Sequence, residues 1–216
     1  MIKEFYNKNK KLCMLILSII GIVLIIIFGI YFVVMFDMND ADKIIGEYEK
    51  LNDESTSDGK KFPTVNISDY EKLEYISSDE LINVFNNSGD AVVYFGYPTC
   101  LYCRTAIQVL VNIAKDTELD VLYYYDIEEK SNDASKLYDL IGDEFIESVD
   151  GKKNIYSPLV IFVADGRIVS YNKGTLFSQK DPYQKLDQSQ IDGLSDIYKY
   201  GIMDVLESKR NKGVLK

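Results

Sequence analysis

Hydrophobic and polar positions divide this chain into three stretches of different rhythm. An uncharged run extends from Leu12 to Phe36. Its 25 positions would span roughly 37 Å as a helix, enough to cross a hydrocarbon core of about 30 Å with some tilt. From Asp37 to about Thr64 the composition turns polar, through Asp53-Glu54-Ser55-Thr56-Ser57-Asp58-Gly59-Lys60. This predicts a spacer with one short helix around Ala41 to Leu51, ending near Pro63.

Beyond Tyr70 the pattern alternates regularly. Lys72 to Ile76 suits a short strand, and Ser78 suits the N-cap of a helix running through Asn87. Ala91 to Phe95 is a continuous apolar run of the kind found in strands covered on both faces. A helix opening at Cys100 continues to about Lys115, with Ile107, Leu110, Val111 and Ala114 at helical spacing. Val121 to Ile127 reads as a second buried strand. Ser131 to about Ser148 reads as a helix with Leu137, Leu140, Ile141 and Phe145 on one face and Gly142 as a potential break. Pro158–Ala164 and Arg167–Tyr171 are strands joined by Asp165-Gly166, a two-residue hairpin signal. A last amphipathic helix fits Ser189 to about Lys209. The order β-α-β-α-β-α-β-β-α predicts an α/β domain with a mixed sheet flanked by helices.

The charges beside the apolar run orient it. Lys3, Lys8, Lys10 and Lys11 precede it, and Asp37, Asp40 and Asp42 follow, so the positive-inside rule places the N-terminus in the cytoplasm and the remainder outside. A cleaved signal peptide has a shorter apolar region and a small-x-small cleavage site, which this run lacks. The expected layout is a cytoplasmic N-terminus (1–11), a single membrane anchor (12–36), a polar linker (37–64), a domain (65–209) and a tail (210–216).

Composition narrows the chemistry. A net charge of -10 argues against nucleic-acid partners, since a polyanion would be repelled. The chain has no histidine, which excludes histidine relays, Ser-His or Cys-His pairs and histidine metal sites. Its three cysteines are too few for a disulfide-stapled scaffold. Cys13 falls at the cytoplasmic start of the apolar run and reads as an apolar-tolerant residue there.

The other two, Cys100 and Cys103, follow a strand and a Gly96-Tyr97-Pro98 turn. At a helix N-terminus, free amides and the helix dipole would stabilise a Cys100 thiolate, making it the candidate nucleophile. Cys103, one turn further in, would resolve a mixed disulfide by attacking Cys100. Arg104 has the ordinary reading of a solvated first-turn residue. Three other readings explain the pair: a zinc site, which lacks ligands in this sequence; a structural disulfide, which closes too small a loop to stabilise much; and inert thiols, which do not suit an oxidising compartment.

The segments YFGYPTCLYCR and YSPLVIFVADGRIVSYNKG resemble the thioredoxin superfamily over roughly Tyr70 to Lys209. The wording FGYPTC..C most resembles the membrane-anchored thioredoxin-like proteins of Gram-positive bacteria, including those labelled bacteriocin transport accessory proteins. The resemblance implies a thioredoxin-like fold. It also makes Pro158 the cis-proline facing the cysteines, with the backbone of Ser157 pairing with an extended substrate segment. This chain departs from thioredoxin in having no tryptophan, in carrying Tyr94 where a buried aspartate precedes the first cysteine by six residues, and in its Leu101-Tyr102 dipeptide.

The expected function is that of an extracytoplasmic, membrane-anchored thiol-disulfide oxidoreductase acting on cysteines of exported proteins or peptides. Oxidation or isomerisation is favoured over reduction, because one anchor helix offers no carrier for electrons from inside. The expected partners are such a substrate and a membrane or extracytoplasmic redox protein. No cofactor is needed, because the electrons reside in the two sulfurs. The rival from another class is a thioredoxin-like module that binds an exported peptide, or a bacteriocin export component, without chemistry.

Overall fold

The computed structural model describes residues 10–36, 39–67, 70–130 and 132–214. Expectations resting on Lys3, Lys8, Asp37 and Ser131, and on the side chains of Lys10, Lys11 and Cys13, lie outside the described residues. The chain divides into two units, Met1–Asn39 and Asp40–Lys216. Among its described residues the first holds the helix α1 (Lys10–Phe36). Its stretch Met14–Tyr31 is long and apolar enough to cross a membrane, and none of that stretch is buried in protein.

The second unit is built on a five-stranded sheet. Its elements begin with α2 (Asp40–Glu49), β1 (Leu73–Tyr75), α3 (Ser78–Asn86), β2 (Ala91–Gly96), α4 (Leu101–Asp116) and β3 (Leu122–Asp126). A one-turn helix α5 (Tyr138–Ile141) follows, then β4 (Ile146–Val149), β5 (Lys152–Ile155), β6 (Leu159–Ala164), β7 (Arg167–Lys173) and α6 (Gln188–Asn211). The strand order is β1-β3-β2-β6-β7, with β4 and β5 in a separate hairpin. β1, β3 and β2 run parallel, whereas β6 is antiparallel to both β2 and β7. This is a thioredoxin-like α/β fold: a parallel βαβ half joined through the central β2 to an antiparallel ββα half.

Side chains of β2 explain its unbroken apolar run. Val92 and Tyr94 point into a core shared with α2, α4 and α6, while Ala91, Val93 and Phe95 point into a second core under α3 and the segment around α5. A central strand covered on both faces has no polar side, so its sequence does not alternate. The Asp165-Gly166 turn has φ of 52° and 68°, the left-handed pair that a two-residue hairpin requires.

Three expectations need correction. The polar stretch before residue 65 is part of the compact unit: Ala41, Ile44 and Tyr48 lie on one face of α2 and are buried, as are Val65 and Ile67. The Asn52 side chain fixes the return of this stretch, accepting from the Val65 N–H at 2.8 Å and donating to its carbonyl at 2.7 Å. The helix expected over 131–148 does not run through. Gly142 adopts φ 104°, leaving α5 and short 3-10 turns before the β4–β5 hairpin, whose tip Asp150-Gly151 also has positive φ. The N-cap of α3 is Ser77, whose hydroxyl accepts from the Glu80 N–H at 3.2 Å while Glu80 accepts from the Ser77 N–H at 2.8 Å. Ser78 is buried instead, with its hydroxyl 2.8 Å from that of Tyr125.

Asp90, just before β2, ties the far end of the sheet to α6. It accepts from Ser208 at 2.7 Å, from the Asp165 N–H at 3.0 Å and from the Lys212 ammonium at 2.8 and 2.9 Å. Burial pushes its carboxyl upward, but the hydrogen bonds from Lys212, Asp165 and Ser208 outweigh it and hold the pKa below the ordinary value. A depressed carboxylate contributes stability that is complete above its unfolded pKa of about 3.9 and is lost as pH falls through the folded value. Asp90→Asn should therefore lower Tm at neutral pH and lose less further Tm than the parent on acidification from about pH 5 to 3. Thermal melts across that range check this; parallel curves for the two proteins would refute it.

Candidate active site

β2 ends at Gly96, and the turn Tyr97-Pro98-Thr99 carries the chain to Cys100, the N-cap of α4. The Cys100 N–H donates to the Tyr97 carbonyl at 3.2 Å, closing the turn. Its sulfur accepts from the Cys103 N–H at 3.1 Å, the position an N-cap oxygen takes in other helices. Cys100 is half-buried and Cys103 is fully buried. The two are joined in a disulfide, with Cα atoms 5.1 Å apart. A half-buried cysteine at the positive end of a 16-residue helix, with its partner one turn behind it, is an arrangement that can hold a thiolate on the outer cysteine.

Ser157 and Pro158 arrive from the neighbouring strand. Pairing of Phe95 with Leu159 places Pro158 beside the end of β2, where the cysteine turn begins. The Ser157–Pro158 peptide bond is cis, and the Pro158 carbonyl accepts from the Gly174 N–H at 2.7 Å. Tyr102, between the two cysteines, lines the same cleft as Ser157 and Pro158. All four residues singled out in the sequence thus lie at one end of the sheet.

Arg104 is not the solvated first-turn residue that its position suggests. It is fully buried, and every acceptor of its guanidinium is neutral: the carbonyls of Pro63 at 2.7 Å, Tyr48 at 2.8 Å and Pro98 at 3.2 Å, and Asn52 Oδ1 at 2.7 Å. The group lies 5.4 Å from the Phe62 ring centroid and 6.0 Å from that of Tyr48. Burial lowers its pKa, though an arginine stays charged. These bonds fasten the 48–63 stretch and the Pro98 turn to the first turn of α4. Local sequence held no sign of it, since three of the four acceptors come from more than forty positions away.

Tyrosines fill the space beneath the cysteines. The Tyr94 hydroxyl donates to the Cys103 carbonyl at 2.9 Å. The Tyr124 ring stacks on that of Tyr94 at 5.9 Å, and its hydroxyl lies 3.4 Å from that of Tyr48 and 3.3 Å from Asp126 Oδ2. Burial raises the pKa of Tyr48, Tyr94 and Tyr124 well above the usual phenol value, so all three stay protonated and act as neutral hydrogen-bonding groups. Asp126 is a buried carboxylate that the sequence reading passed over. It accepts from the N–H groups of Glu128 and Glu129, both at 2.9 Å, and so caps the turn after β3. Tyr94→Phe removes the hydroxyl's bond to the Cys103 carbonyl, which keeps its place in the helix ladder of α4, and should cost about 0.5–1.5 kcal/mol in urea unfolding. A loss under about 0.3 kcal/mol would show that the bond contributes nothing net.

Among the described residues, no group of three or more cysteine or carboxylate side chains is placed to hold a metal ion. No family model matches the chain, and no curated protein matches it. Among solved structures, thioredoxin O2 from Arabidopsis thaliana in its oxidised state aligns with 19% identity and a TM-score of 0.35, over 58% of this chain and 92% of that one.

Proposed function

We propose that this chain is a membrane-anchored, extracytoplasmic thiol-disulfide oxidoreductase that acts on cysteines of exported proteins or peptides. One observation carries the reading: a half-buried Cys100 caps α4 and is disulfide-bonded to a fully buried Cys103, beside the cleft that holds Ser157 and Pro158. In the oxidising direction a substrate thiolate attacks the Cys100 sulfur, and Cys103 leaves with the electron pair of the broken bond. A second substrate thiolate then attacks the substrate sulfur of the mixed disulfide and expels Cys100. The substrate gains a disulfide, and two electrons remain on Cys100 and Cys103 until an extracytoplasmic disulfide partner removes them. Cys103 limits the lifetime of the mixed disulfide, because it can attack Cys100 and release an unproductive substrate.

The apolar helix α1, with lysines before it and aspartates after it, supports the anchor and its orientation. That compartment favours oxidation or isomerisation, and the resemblance to bacteriocin transport accessory proteins favours exported peptides among the substrates. Equilibration of the full chain with glutathione buffers tests the reading. A potential between about -120 and -230 mV is expected; a value below about -300 mV would mark a structural disulfide and end it.

A further inference from the structure

Two clefts that meet at Ser157, at the end of the sheet where the cysteine turn lies, carry opposite charge. On one side Tyr102, Pro158, Phe177 and Gln179 join Ser157, and among the described residues the charged lining residues are Lys173 and Lys180. On the other side Tyr97 joins it, and among the described residues the charged lining residues are Glu128 and Glu147. A pair of lysines without a carboxylate in the lining stands against the trend of a chain with net charge -10. Among the described residues neither lysine is ion-paired. The Lys173 ammonium lies 4.4 Å over the Tyr156 ring and donates to the Glu144 carbonyl at 3.0 Å; that of Lys180 lies 3.4 Å over the Phe177 ring.

Two further features of the basic side point to a ligand. Phe177 is 91% exposed, an unusual setting for a phenylalanine next to a cleft. Gln179 is only 7% exposed, and among the described residues neither its Oε1 nor its Nε2 has a hydrogen-bond partner. A buried primary amide without partners is costly, and the N–H and C=O of an extended peptide are the complementary pair. The Tyr102 hydroxyl reaches the Lys180 carbonyl at 3.5 Å, so this side is continuous with the cysteine helix.

We infer that the two clefts select the substrate by charge order: an extended cysteine peptide lies across Ser157, with an acidic side chain at Lys173 and Lys180 and a basic one at Glu128 and Glu147. This rests on the exchange reading above and names the substrate class for it. Opposite charges at the two ends fix a direction as well as a composition, since a reversed peptide meets like charge at both ends.

The test uses peptides with one central cysteine held as a mixed disulfide with thionitrobenzoate. Glutamate precedes and lysine follows the cysteine in one peptide, and the order is reversed in the other. Each reacts with the reduced full chain in detergent micelles at low salt. The Cys100 thiolate attacks the peptide sulfur and thionitrobenzoate, the better leaving group, departs with its electron pair. Cys103 then displaces the peptide thiolate and closes the Cys100–Cys103 disulfide, so two electrons pass from the enzyme to the peptide disulfide. One order should react about fivefold faster, as expected for two partly screened ion pairs, and high salt should erase the difference.

Lys173→Glu and Lys180→Glu combined with Glu128→Lys and Glu147→Lys should make the other order the faster. The milder pair Lys173→Gln and Lys180→Gln should reduce the ratio without reversing any charge. Equal rates for both orders in the parent protein, or a preference unchanged in the neutral pair, would overturn the inference. Hydroxyethyl disulfide, uncharged and too short to span both clefts, separates the two levels. If it is not reduced in a Cys100-dependent way, the exchange reading itself fails. If it is reduced while both peptide orders react alike, only the charge-order inference fails.

Discussion

Arg104→Ala is expected to destabilise the Asp40–Lys216 unit by about 3–5 kcal/mol, enough to consume a large part of an ordinary domain's stability. Three carbonyls and the Asn52 amide oxygen lose the guanidinium at once; Asn52 keeps the Val65 N–H and the Tyr48 carbonyl keeps the Leu51 N–H, while the carbonyls of Pro63 and Pro98 lose a charged donor in a half-buried setting. The packing of the guanidinium between Phe62 and Tyr48 goes as well. Against this stands the gain from no longer burying a charge without a counter-ion. That gain would win only if the acceptors were removed together with the donor, which a single substitution does not do. Arg104→Lys should recover less than half of the loss, since one ammonium cannot reach acceptors spread around a planar fork. Urea unfolding of the three proteins measures both effects. A loss below about 1 kcal/mol for alanine would mean that the 40–67 stretch is held by its apolar contacts alone.

The second large effect concerns the sulfurs themselves. Cys100→Ser should abolish exchange with any disulfide, because a hydroxyl at that position neither forms the mixed disulfide nor leaves from it. Cys103→Ser should behave differently: the first step proceeds, and the mixed disulfide at Cys100 accumulates because its resolving thiol is gone. The contrast follows from their placement, one half-buried at the helix N-cap and the other fully buried behind it. A stopped assay with hydroxyethyl disulfide, quenched by alkylation and read by mass, distinguishes the two variants. If Cys100→Ser retains turnover while Cys103→Ser loses it, the roles are exchanged.

The sequence carried the site better than it carried the support around it. β2, the cysteine turn and α4 were legible because an apolar strand, a Gly-Pro turn and a helical period follow one another within about 25 residues. The β6–β7 hairpin was legible because Asp165 and Gly166 meet the backbone needs of a two-residue turn. By contrast, α2 offers only Ala41, Ile44 and Tyr48 as buried positions in a polar stretch, a pattern that a solvated helix shares. The segment 131–148 has helical apolar spacing, but Gly142 and the hairpin at Asp150-Gly151 override it, and Phe145 reaches the core from a 3-10 turn instead. Arg104 was illegible for a different reason. A charged residue reads as exposed until its acceptors are known, and they come from the far side of two intervening strands' worth of sequence.

Tyr94 sharpened the chemistry in an unforeseen way. Its departure from a buried carboxylate was visible as a letter, whereas its role as donor to the Cys103 carbonyl required the fold. A network of tyrosine hydroxyls that ends on Asp126 lies under the cysteines, and among the described residues no carboxylate is hydrogen-bonded to either cysteine.

The central claim is that Cys100 exchanges disulfides with exported proteins. The direct measurement is to express full-length Cys103→Ser in its host, quench with acid, alkylate free thiols and compare non-reducing with reducing gels. The account predicts adducts that vanish on reduction, are absent from the Cys100→Ser and Cys103→Ser double variant, and contain exported proteins or peptides. The same adduct pattern in the double variant, or none in either, would contradict it.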